Sequence, residues 1–117
     1  MQIFSGIVQK GSTIASELGY PTANIPYEGD GASGVYAAKV KVGEEEYEAM
    51  VFADHVRHVL EAHVLDFSAD LYGWKISIEL LEKIRDRKKF KDNLVPQALI
   101  DADMARVRAY FKNAQRT

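Results

Sequence analysis

GVYAAKVKV (residues 34–42) followed by GEE (residues 43–45) and EYEAMVF (residues 46–52) is the stretch that decides how this chain folds. Tyr36, Ala38, Val40 and Val42 recur at every second position, with Ala37, Lys39 and Lys41 between them. Period-2 alternation is the pattern of a β-strand with one wet face. Gly43–Glu45 supplies a turn and the alternation resumes beyond it, so the two runs read as an antiparallel hairpin.

Working outward, LEAHVLDF (residues 60–67) and WKISIELLEKI (residues 74–84) form a second candidate strand pair, joined by SADLYG. An opening strand at Ile3–Val8 and a short one around Ala23–Ile25 bring the count to about six. Near the end the period changes. Ile100, Met104, Val107 and Phe111 make one apolar stripe of an α-helix, with Arg106, Arg108 and Lys112 off it and Pro96 suited to its first turn. Closely spaced antiparallel strands followed by such a helix predict a small closed β-barrel with the helix on its outside.

The bulk composition narrows the classes. A chain of 117 residues is one domain, and 47% hydrophobic with 27% charged residues is the balance of a folded globular protein. No apolar run approaches the roughly 18 residues that span a bilayer, and the N-terminus lacks the layout of a signal peptide. The absence of cysteine excludes disulfides and thiolate metal sites and makes a cytoplasmic location the simplest expectation. A formal net charge of −2 argues against a general nucleic-acid binder.

Chemistry can be sought at three places. In ELGYPTANIP (residues 17–26), Thr22 and Asn24 stand two apart on a segment stiffened by Pro21 and Pro26, so a hydroxyl and a carboxamide converge. Two neutral oxygens suit a hard cation such as Mg²⁺ when the substrate brings the negative charge. The alternative is a strand entry whose side chains satisfy nearby backbone groups. Glu61 shares a strand face with His63, Leu65 and Phe67. A carboxylate beside large apolar groups is desolvated and becomes a better base; the alternative is a strand-end glutamate with its head in water. IRDRKKFK (residues 84–91) is the one basic cluster, a solvated strand end or a phosphate contact, with Phe90 alone available for stacking on a base. His55 and His58 could face together on one helical turn, but a third ligand at good spacing is missing, which favours surface or core histidines. Neither a P-loop nor a G-x-S-x-G serine motif is present.

Taken in order, GIVQKG, LGYPTANI, GVYAAKVKV and LEAHVLDFSADLYGWKISIELLEKIRDRKKF, with a helix after them, resemble the riboflavin kinase (flavokinase) family from nearly end to end. The resemblance implies a six-stranded antiparallel closed β-barrel with a C-terminal α-helix packed on its outside, as a single domain over residues 1–117. It implies that Thr22 and Asn24 bind Mg²⁺ and the nucleotide phosphates. It makes Glu61 the base that activates the terminal ribityl hydroxyl of riboflavin for attack on the γ-phosphate of ATP, giving FMN and ADP. Gly11, Arg85 and Phe90 would border the nucleotide and flavin. Riboflavin and ATP are then the partners of a cytoplasmic monomer, with no nucleic acid and no membrane involved.

Two stretches depart from the family pattern. Where a G-x-G-R-G flap is usual, this chain has GSTIASELG (residues 11–19), which keeps Gly11 but has no arginine. Where a segment like NIG-x-x-PTF is usual, AMVFADHVRHVLEA (residues 49–62) is about half a dozen residues shorter. These departures motivate a rival expectation, a flavin- or nucleotide-binding barrel without turnover. With no nucleotidyltransferase domain in the sequence, FAD synthesis is not expected.

Overall fold

The structure, a computed structural model, describes residues 2–9, 22–29, 31–67, 69–88 and 96–114. Its strands are β1 (Gln2–Ile7), β2 (Ala23–Pro26), β3 (Gly34–Val42), β4 (Glu45–Asp54), β5 (Val59–Val64) and β6 (Lys75–Arg85), followed by helix α1 (Gln97–Ala114). All six strands form one antiparallel sheet in the order β1-β6-β3-β4-β5-β2. The sheet curls until its two edges meet. An isolated bridge joins Gln9 to Asn24, with the Gln9 N–H donating to the Asn24 carbonyl at 2.8 Å. The result is a nearly closed barrel, which leaves little free edge for unwanted pairing.

The expected hairpin is present as β3–β4. Gly43 takes φ +62°, and Val42 pairs with Glu45 across a two-residue turn, the arrangement in which glycine at the first turn position matches the twist of the strands. The second expected pair is corrected. β5 lies between β4 and β2, and β6 lies between β3 and β1, so the two strands do not touch as neighbours. Both alternate apolar and polar residues along the sequence, which any antiparallel neighbour would satisfy, and alternation names a face, not a partner.

Alternation sorts the side chains into two cores. Tyr36, Ala38 and Val40 of β3, Ala49, Val51 and Ala53 of β4, and Leu60, Ala62 and Val64 of β5 fill the barrel with Ile76, Ile78 and Leu80 of β6. On the outside, Val35, Ala37 and Met50 pack with Leu65 and Ile84 against Ile100, Met104, Val107 and Phe111 of α1. Each large apolar side chain so buried contributes about 1.5–3 kcal/mol. Two register shifts between β3 and β6 leave Leu81 and Ile84 without direct partners, and both join the helix-side core. Bulges of this kind re-aim side chains, here toward the helix. The Pro96 carbonyl accepts from Leu99 N–H at 3.1 Å and Ile100 N–H at 3.4 Å, so Pro96 starts the helix as its spacing implied.

One polar link fixes the helix to the sheet. Asp103 is only 1% exposed on the apolar stripe of α1. Arg85, the last residue of β6, donates to it through Nε at 2.8 Å and Nη2 at 2.8 Å. The same stretch is held on its other side by Gly34, at φ +115°, where any Cβ would collide with the Arg85 carbonyl oxygen. Removing one partner of a buried pair leaves the other charge uncompensated. Asp103→Ala is therefore expected to cost roughly 3 kcal/mol in chemical denaturation. The apolar double variant Arg85→Met/Asp103→Leu should recover most of that loss, and equal destabilisation in both would contradict this account.

Candidate active site

The outer face of the barrel beyond the helix carries the polar side chains of interest. Leu60 and Ala62 point into the barrel, so Glu61 between them points out; Ala23 and Ile25 do the same for Asn24. In the β2–β5 register Asn24 stands directly opposite Glu61, and Phe52 of β4 flanks Glu61 on its other side. Thr22, two residues before Asn24, donates its hydroxyl to Asn24 Oδ1 at 3.0 Å. Three residues singled out by sequence, Thr22, Asn24 and Glu61, thus meet on one patch. Neither Asn24 nor Glu61 has its head in bulk water, at 7% and 5% exposure.

The chain between β4 and β5 is a tight turn over residues 55–58. Asp54 builds it, with Oδ1 accepting from the N–H groups of Val56 and Arg57, each at 3.0 Å. An aspartate bonding backbone two and three residues ahead is a local alternative to continuing the strand. His58 closes the turn in the left-handed region at φ +58°, and its carbonyl accepts from Tyr27 N–H at 3.0 Å, extending the β2–β5 contact. His55 and His58 lie at the two ends of this turn, and among the described residues no metal-holding group of three includes them.

That turn delivers an arginine to the carboxylate. Arg57 Nη1 lies 3.2 Å from Glu61 Oε1 and 4.0 Å from Asp54 Oδ2. Arg87, within the basic cluster after β6, places Nε 3.5 Å from Asp54 Oδ1. Burial pushes the Glu61 carboxyl above its ordinary value; Arg57 pulls it back, and Asp54 adds to the rise. This is the electrostatic setting of a carboxylate tuned to accept a proton.

Of the other expected site residues, Arg85 lies three strands along the sheet from Glu61 and is engaged by Asp103. Gly11 and Phe90 lie outside the described residues, as does the flap segment at residues 11–19. Sequence reasoning missed Arg57 and Asp54. The signal was available in DHVRHVLE, an aspartate three residues before an arginine that is itself four before the glutamate. Among the described residues no three His, Cys, Asp or Glu side chains cluster as a metal site, and no helix is long and apolar enough to cross a membrane. The Thr22 and Asn24 oxygens do fit a small octahedral cation, because ligands at about 2.1 Å from Mg²⁺ sit about 3 Å from one another.

The family model for riboflavin kinases matches residues 2–111 of this sequence. The chain belongs to the riboflavin kinase family. It is 33% identical over 116 residues to the bifunctional riboflavin kinase/FMN adenylyltransferase of Escherichia coli K12, covering 92% of this chain and 37% of that protein. It is 32% identical over 98 residues to the RNA-binding riboflavin kinase RibR of Bacillus subtilis, covering 77% of this chain and 43% of the relative. Among solved structures, a Streptococcus pneumoniae chain described as a macrolide-efflux protein superposes with a TM-score of 0.72 at 30% identity, over 91% of this chain and 36% of that one. In each case the chain spans well under half of the protein it matches. The riboflavin kinase match runs through both departing stretches, so neither the flap nor the shortened turn takes the sequence outside the family.

The buried carboxylate has a thermodynamic signature. A carboxyl whose folded value is raised binds its proton more readily in the native state than in the unfolded chain. Its contribution to stability is present in full below the ordinary glutamate range and is lost as pH rises through the raised folded value. Glu61→Gln removes that loss. The variant is expected to melt at least as high as the wild type at pH 7, with the difference vanishing on acidification to about pH 4. A clearly lower melting temperature at pH 7 would mean that the Arg57 pair outweighs the burial of Glu61.

Proposed function

We propose that this chain phosphorylates riboflavin, transferring the γ-phosphate of ATP to the terminal ribityl hydroxyl to give FMN and ADP. The observation that carries the reading is the β2–β5 register, which sets Asn24 and its partner Thr22 against a buried glutamate in a riboflavin kinase family chain.

Glu61 accepts the proton of the ribityl hydroxyl as its oxygen forms a bond to the γ-phosphorus. The bond from that phosphorus to the bridging oxygen of ADP breaks, and ADP keeps its electron pair. Thr22 and Asn24 would hold Mg²⁺ with the nucleotide phosphates, and the ion, when bound, neutralises charge on the phosphate oxygens. A neutral pair of protein ligands leaves the triphosphate to supply the negative charge. The short β2 segment, ended by Pro26 and stitched to β5, keeps those oxygens from moving during transfer, and positioning of this kind is the larger part of phosphoryl-transfer catalysis. Arg85 contributes through α1, which its pair with Asp103 ties to the end of β6.

Incubation with riboflavin, ATP and Mg²⁺, followed by chromatography of the flavins, is expected to yield FMN. Glu61→Gln should lower kcat by about 10²–10⁴-fold, the usual worth of a positioned base. Full activity in that variant would remove Glu61 from the mechanism. Thr22→Ala and Asn24→Ala should weaken Mg²⁺–nucleotide binding more than riboflavin binding, read by titration calorimetry. The opposite order would reassign the patch to the flavin.

A further inference from the structure

Glu61 cannot be considered apart from the turn beside it. The turn is short, its shape is set by Asp54 bonding two backbone N–H groups, and its one long side chain reaches back to Oε1 of Glu61 at 3.2 Å. Arg57 is four residues before Glu61 but meets it across the β4–β5 reversal, so the contact follows from the turn's geometry and not from helical spacing. The Arg57 side chain is half exposed, at 51%, and that of Glu61 is almost wholly buried, at 7%, so the pair joins a buried carboxylate to a guanidinium at the edge of solvent.

We infer that Arg57 is a positioning residue for phosphoryl transfer, a turn-borne guanidinium that aims the Glu61 carboxylate and supplies its counter-charge, with Asp54 setting the strength of that hold. The inference rests on the riboflavin kinase reading and deepens it.

Physical chemistry gives the device a purpose. A base works only when its lone pair is aimed at the proton it takes. The hydrogen bond from Arg57 fixes the carboxylate's rotation, since an ionised pair with a hydrogen bond is stronger and more directional than a neutral one. Asp54 competes for the same guanidinium at 4.0 Å, and Arg87 engages Asp54 from its other side at 3.5 Å. Among the described residues, Arg57 is the cation in direct contact with Glu61.

Three substitutions separate this from a surface ion pair. Arg57→Gln withdraws the guanidinium and should lower kcat roughly tenfold with unchanged KM for both substrates. Arg57→Lys should restore part of that loss. Asp54→Asn keeps an oxygen for the turn's N–H groups but removes the group that competes for Arg57, and should leave kcat no lower than in the wild type. An unchanged kcat in Arg57→Gln would overturn the inference, as would a raised nucleotide KM at full kcat, which would make Arg57 a phosphate ligand. Those outcomes leave wild-type FMN formation intact. A wild-type chain that forms no FMN would instead overturn the riboflavin kinase reading and this inference with it.

Discussion

The pairing of β2 with β5 is the constraint on which the site depends. Ala23 and Ile25 must sit inside the barrel beside Leu60 and Ala62, and that requirement sets Asn24 directly against Glu61 on the outside. A slip of one residue would turn every side chain of β2 to the other face, carrying Asn24 into an apolar interior and Ile25 into water. The hydrophobic effect thus specifies the polar patch indirectly. The Gln9–Asn24 bridge adds to this by making Asn24 the place where the two edges of the sheet close. A residue held there from both sides has little freedom, as the ligand role proposed for Asn24 requires.

The helix is placed by a different rule. Its apolar stripe would slide along the outer face of β3 and β4 without a fixed point, because apolar contacts are non-directional. The bidentate contact between Arg85 and Asp103 gives it one. The bulges of β6 turn Leu81 and Ile84 toward the same side, so backbone irregularity and the ion pair act together at the end of one strand. On the outer surface α1 covers Val35, Ala37 and Met50, while Glu61 and Asn24 stand on β5 and β2.

Much of this was legible in the sequence. The alternation in GVYAAKVKV assigned each side chain of β3 to its face, the stripe from Ile100 to Phe111 gave the helix, and the i, i+2 spacing of Thr22 and Asn24 put them together. Strand partners were not legible: LEAHVLDF and WKISIELLEKI alternate equally well whether they pair with each other or, as here, with β4 and β3. Asp103 could have been suspected, since an aspartate one residue from Met104 on an apolar stripe needs a partner. Arg85 as that partner could not, because the match depends on how far β6 runs. Arg57 was hidden for a similar reason. Its contact with Glu61 exists only because Asp54 folds the turn, and sidechain-to-backbone bonds of that kind leave a weak trace in a sequence. The shortened segment between β4 and β5 is the same feature seen from the chain: a turn just long enough to return one cation to the carboxylate.

If the proposed site is right, nucleotide phosphates bind on the outer face where β2 meets β5. NMR titration of the labelled protein with Mg²⁺ and ADP tests that location most directly, following the Thr22 methyl and the Asn24 side-chain amide. Both signals should shift on saturation, and should shift far less with ADP when Mg²⁺ is withheld. If both stay fixed at saturating nucleotide while resonances elsewhere on the barrel move, the phosphates bind at another place and the site described here is not where transfer occurs.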